Sequence, residues 1–134
     1  MRSGFEEIQH TADWALKVWA PDFSSLLEQA ARGMNHLMGV VIDPSQPAEI
    51  EFSLTAGDQE SLLVGVLNRI LYALEMDSIG VDSFDLFVAG FQVQARLKGG
   101  RVVELQKMIK AVTYHNLAIR SSESGLETTI VFDV

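Results

Sequence analysis

The chain contains no cysteine. That absence removes disulfides, thiolate metal sites and cysteine nucleophiles together, and it fits a cytoplasmic location. Proline is scarce, and Pro21, Pro44 and Pro47 punctuate element ends rather than build a linker. Basic residues are also few: 10 Lys and Arg stand against 18 Asp and Glu, for a formal net charge of −8. A field of that sign repels a phosphate backbone. The bases are scattered, and only Arg96 to Lys110 is locally basic, so RNA is expected to be reached through a partner. No apolar run is long enough to span a bilayer; Val40, Val41 and Ile42 stop at Asp43-Pro44. The start, Met1-Arg2-Ser3-Gly4 followed by acidic residues, is not a secretory signal. There is no phosphate-cradling glycine loop and no Gly-x-Ser-x-Gly elbow, and the serines fall at helix caps and loops.

What is present reads as one domain spanning residues 1–134, large enough to bury a core without staples. Phe5 to His10 and Trp14 to Ala20 read as strands, the second by alternation of Trp14, Leu16 and Val18 with Ala15, Lys17 and Trp19. A helix is predicted over Phe23 to Met38, with Ser25 and Glu28 at capping-box spacing and Gly33 admitting close packing. Asp43 to Pro47 reads as a turn and Glu49 to Leu54 as a strand with one wet face. Asp58 caps a second helix to about Met76, whose leucines, isoleucine and valine cover more than one stripe. Such a helix is buried on several sides or meets another chain.

Strands are then expected at Phe84 to Ala89, at Gln92 to Leu97, over Ile109 to Arg120, and from Leu126 to Val134. Lys98-Gly99-Gly100-Arg101 reads as a loop tip, Val102 to Met108 as a region with room for a helical turn, and Ser121 to Gly125 as a hairpin turn. Strands gathered around two helices predict an α+β fold: two layers, with a mostly antiparallel sheet and both helices on one face.

Polar residues interrupt apolar strands at two places, His10-Thr11-Ala12-Asp13 and Lys110-Ala111-Val112-Thr113-Tyr114-His115. The first also suits a turn with Asp13 or Thr11 bonding local amides, and His115 also suits a core histidine with both nitrogens satisfied. The third feature is the ending Phe132-Asp133-Val134. A strand running to the last residue places the Asp133 side chain beside the Val134 α-carboxylate, and adjacent carboxylates repel unless a cation or base lies between them. Hard divalent cations favour such oxygens; a frayed acidic tail is the plainer reading.

Together these stretches, with Glu60-Ser61-Leu62-Leu63 and the run Leu67-Asn68 to Leu71-Tyr72, resemble the archease family across essentially the whole chain. The resemblance implies a two-layer fold shared with a domain of a redox-regulated chaperone. It implies a non-enzymatic accessory factor for an RtcB-type RNA ligase, promoting guanylylation and repeated turnover in tRNA splicing and RNA repair. It implies a metal site at Asp13, Asp133 and Val134, the last through main-chain or α-carboxylate oxygens. Calcium is the first expectation, with magnesium or manganese as alternatives. His10, Lys110, Thr113 and His115 are expected to border that site or the partner. The chain departs from the family pattern at Arg69, where many members carry glutamate, and in a short Gly99 to Met108 segment. Two other readings stay open: a metal-dependent hydrolase using His10, Asp13 and His115, and a chaperone-like module using an apolar face of helix two.

Overall fold

The computed structural model describes residues 3–8 and 14–134. The chain runs β1 (Gly4–Ile8), β2 (Trp14–Ala20), α1 (Phe23–Met38), β3 (Val41–Thr55), α2 (Gln59–Asp77), β4 (Ile79–Ala89), β5 (Gln92–Glu104), β6 (Ala111–Val112), β7 (Arg120–Ser122) and β8 (Gly125–Asp133). The α+β expectation holds, and every strand pair is antiparallel. The strands divide into two sheets rather than forming one. The first has the order β1-β2-β8-β6, with β7 also on β8; the second has the order β3-β5-β4. Both helices touch strands of both sheets.

Helix α1 follows the periodic stripe: Phe23, Leu26, Leu27, Ala30, Ala31, Met34, Leu37 and Met38 are buried. Its N-cap is Asp22, not the Ser25–Glu28 pair. The Asp22 carboxylate accepts the Ser25 amide at 2.8 Å, and Pro21 ahead of it keeps the chain extended. Gly33 lies against β1 and β2, where a Cβ would meet Leu16 and stand 3.0 Å from the Phe5 ring. Helix α2 begins at the expected cap, with Asp58 accepting the Ser61 amide at 2.7 Å. Its apolar residues, from Leu62 to Leu74, are buried within this chain. Tyr72 and Met76 are its exposed large apolar side chains, at 55% and 62%. The apolar helix face that a chaperone-like module would use is therefore mostly covered.

Two expectations are corrected in the second sheet. Asp43 to Pro47 does not separate elements: it is a register shift inside the long β3, where Asp43 accepts from the Ser45 amide and hydroxyl at 2.9 and 2.7 Å. Lys98 to Arg101 is not a loop tip but the middle of β5. Gly99 pairs with Ala48 and Val81, and Gly100 with Pro47 and Gly80. A Cβ on Gly99 would run into the Gly80 carbonyl oxygen, and one on Gly100 would stand 2.7 Å from the Gln46 carbonyl. The glycine pair serves close backbone approach between three strands rather than chain reversal. The segment after Val102 extends β5 to Glu104 and forms no helical turn; Gln106 and Lys107 donate to the Met38 carbonyl at 2.9 and 3.3 Å.

The expected strand over Ile109 to Arg120 also breaks up. Only Ala111–Val112 and Arg120–Ser122 pair, and between them Asn116 takes a left-handed φ of 52°. The hairpin turn at Ser121 to Gly125 is present, closing with Ser122 opposite Gly125. Among the described residues no helix is long and apolar enough to cross a membrane.

Two consequences are measurable. Gly99→Ala should cost about 1–3 kcal/mol in urea unfolding, whereas Gly57→Ala, with open space around its Cβ, should stay within about 0.5 kcal/mol of wild type. The Asp58 carboxyl is held below its ordinary pKa by the Ser61 amide first and the Ser61 hydroxyl next. A depressed folded pKa means its stabilisation is complete above the unfolded value and is lost as pH falls through the folded one. Thermal melts over a falling pH series should show a smaller acid loss in Asp58→Asn, which caps without a charge.

Candidate functional site

Strand β8 carries the candidate site at its end. It is paired with β2 from Leu126 opposite Ala20 to Phe132 opposite Trp14, and on its other edge with β6, Ala111 opposite Asp133 and Val112 opposite Phe132. Thr128, Ile130 and Phe132 point inward and are buried, so the pleat turns Thr129, Val131 and Asp133 to the opposite, open face. Asp133 is exposed, and its main-chain oxygen accepts the Lys110 amide at 2.8 Å. Val134 packs, partly buried, against the hydrophobic core. The strand end is thus fixed on both flanks.

The Lys110 to His115 stretch lies along this end. Ile109 and Val112 are buried and hold it down. The Thr113 amide and hydroxyl both donate to the Val131 carbonyl at 3.0 Å, and the His115 amide donates to the Thr113 hydroxyl oxygen at 3.2 Å. Tyr114 and Leu117 close the turn that follows through a 3.0 Å backbone bond. His115 is exposed, with Nε2 3.4 Å from the Asn116 amide nitrogen. It is not the buried core histidine that composition allowed. Asp133, Val134, Lys110, Thr113 and His115 are therefore gathered around one strand end and the segment beside it. His10 and Asp13 lie outside the described residues. Among the described residues no group of three or more His, Asp and Glu side chains converges on one point.

Two anchors of this segment come from α2. The Asn68 side-chain oxygen accepts the Val112 amide at 3.3 Å, and the Glu60 carboxylate accepts the Ile119 amide at 2.9 Å. Both residues stand in stretches that carry the family resemblance, but no role followed from spacing, because each bond joins positions more than 40 residues apart. Arg69, the departure from the family pattern, lies 5.2 Å from the Phe52 ring centroid and 5.6 Å from that of Tyr72. It stacks on this chain's own aromatics.

An open-faced strand end with a carboxylate, two flanking segments tied to it and two helices behind it define a small α+β protein with a polar edge site. Known proteins agree with that class. The description of the archease protein family matches residues 5–134. A protein archease from Methanopyrus kandleri is 30% identical, over 97% of this chain and 99% of its own length. One from Saccharolobus islandicus is 30% identical over the whole of both chains, and a protein archease-like from Dictyostelium discoideum is 30% identical over 97% and 93%. The solution structure of Methanobacterium thermoautotrophicum protein 1598 superposes with a TM-score of 0.72, covering 98% and 99% of the two chains at 19% identity, a likeness of fold. This chain belongs to the archease family, and with it goes an accessory role.

The anchors are open to a direct check. Glu60→Ala should free the Ile119 amide and lower stability by about 1–3 kcal/mol, with faster hydrogen exchange at Ile119 and its neighbours than in the helices. Glu60→Gln, which keeps an acceptor, should retain most of the protection.

Proposed function

We propose that this protein is a metal-binding accessory factor that supports guanylylation and repeated turnover of an RtcB-type RNA ligase in tRNA splicing and RNA repair. One observation carries the metal part. Asp13 is bonded to Trp14 in the chain, Trp14 is the register partner of Phe132, and Phe132 is bonded to Asp133. The two aspartates, far apart in sequence, are thereby each one chain bond from the same cross-strand pair.

The donor set suits a hard cation. Asp133 offers its carboxylate on the open face, and among the described residues it makes no ion pair. Asp13, Asp133 and the Val134 oxygens supply oxygen alone, the preference of calcium, with magnesium and manganese next. A cation held there would offset negative charge on the partner's nucleotide phosphates. The chain's own groups do the positioning. The Lys110 amide fixes the Asp133 main chain, and Thr113 fixes the strand one residue pair back. The Lys110 side chain, exposed beside the acidic end, can pair with a carboxylate or a phosphate. His115 lies on the same segment and His10 is near Asp13 in sequence, which is the basis for including both in the proposed site. The net charge of −8 directs RNA contact to the ligase rather than to this chain.

Calorimetric titration with calcium should give one site in wild type, weakened by at least about tenfold in Asp133→Asn and in Asp13→Asn. Unchanged affinity in both variants would remove the metal site. Ligase guanylylation should rise with wild-type protein and not with either variant. Absence of stimulation by the wild type would remove the partner assignment while leaving the metal result to stand.

A further inference from the structure

The open face of the first sheet carries a second polar feature, about 13 Å along β8 from Asp133 at the usual rise per residue. Lys17, Asn116, Arg120, Glu127 and Thr129 line a cleft of about 170 Å³ there. Four segments deliver them. Lys17 on β2 is the register partner of Thr129 on β8, and Arg120 on β7 is the register partner of Glu127 on the same β8. Asn116 comes from the turn after the Lys110 to His115 stretch, held in its left-handed conformation by the Tyr114–Leu117 bond.

We propose that this cleft binds a single phosphate group, as free phosphate or as the phosphate of a mononucleotide. It shares no residue with the proposed cation site, which it meets only where the Asn116 side chain lies 3.4 Å from His115. The chemistry of the lining carries the assignment. A guanidinium fork, an ammonium, a hydroxyl and a side-chain amide bring donors to one concavity, and a tetrahedral oxyanion accepts from all of them. Two cations and one carboxylate line the cleft, and Glu6 on β1 stands opposite Lys17 in register just outside the lining. Among the described residues neither Lys17 nor Arg120 forms an ion pair. The contrast with the outer face of β3-β5-β4 is instructive. There Arg96 is already bound by Glu51 at 2.9 Å and Glu49 at 3.4 Å, and Lys98 on the same face stands opposite Glu49. Size narrows the ligand further: the cleft is below the range of pockets that enclose a whole organic ligand, so it takes the phosphate and leaves any nucleoside outside. Glu127 opposes an anion at short range, which sets the affinity low and gives the test a variant of opposite sign.

The experiment is a titration of backbone amide chemical shifts at fixed ionic strength, with inorganic phosphate, with adenosine monophosphate and with single-stranded RNA oligonucleotides of increasing length. Saturable shifts confined to Lys17, Asn116, Arg120 and Glu127 to Thr129 are expected with phosphate or the monophosphate. Tighter binding of the monophosphate assigns an ester, and equal binding assigns the free anion. Lys17→Ala and Arg120→Ala should each weaken binding about tenfold, and Glu127→Gln should strengthen it. Shifts absent or spread evenly over the surface, or affinities unchanged in all three variants, would overturn the proposal. So would RNA affinity that climbs with length well beyond the monophosphate, since the face would then read a backbone rather than one phosphate.

Discussion

The two-sided pairing of β8 is the constraint on which the rest of this structure depends. One edge is bonded to β2 along nearly its whole length, and the other to β6 at one end and β7 at the other. Ile130 and Phe132 are completely buried beneath it, packed in the same core as Leu16, Val18 and the helices. Without β8, β1 and β2 would be a two-stranded ribbon, which is marginal alone in water. Fixing a backbone residue costs roughly 1–2 kcal/mol of conformational entropy. At the end of a chain that cost usually goes unmet and the strand frays. Here ladder bonds on both sides and an apolar anchor at Phe132 offset it, so the Asp133 carboxylate sits on a rigid element rather than a tail.

Much of this was legible in the amino-acid pattern, and what was not shares a physical cause. Helix α1 matched its expected bounds because nine buried positions repeat at helical period and Pro21 and Gly39 bracket them. Strand β2 matched because Leu16 and Val18 flank the exposed Lys17 with period two and Pro21 ends the run. The failures came where local cues were answered by distant atoms. Gly99-Gly100 looks like a turn because glycine permits one; only the presence of Gly80 and Gln46 across the sheet makes glycine necessary in mid-strand. Ile109 to Arg120 looks like one strand by composition, yet Asn68 and Glu60 take up amides of that segment that a sheet partner would otherwise have bound. The candidate site shows the same limit. Asp133, Thr113 and His115 could be singled out as polar breaks in apolar runs, but that Thr113 is tied to β8 through Val131 depends on pairing between separated segments.

The distribution of charge follows from which sheet faces remain open. The inward faces of both sheets are consumed by the helices, so polar chemistry is confined to the outward ones. On β3-β5-β4 the outward charges are interleaved: Glu49 and Glu51 flank Arg96 across adjacent strands, and such cross-strand pairs stabilise the sheet while neutralising it. On the first sheet Lys17 stands opposite Glu6 and Arg120 opposite Glu127, so these outward charges also alternate in sign across strands, while Asp133 lies farther along β8 at its end. Asp133 stands about 13 Å from that row, beyond the screening length of about 8 Å at physiological ionic strength, so those charges contribute little to its field. The cross-strand gain of opposite charges is thus open to the middle of this sheet but not to Asp133, whose register partner Ala111 carries no charge.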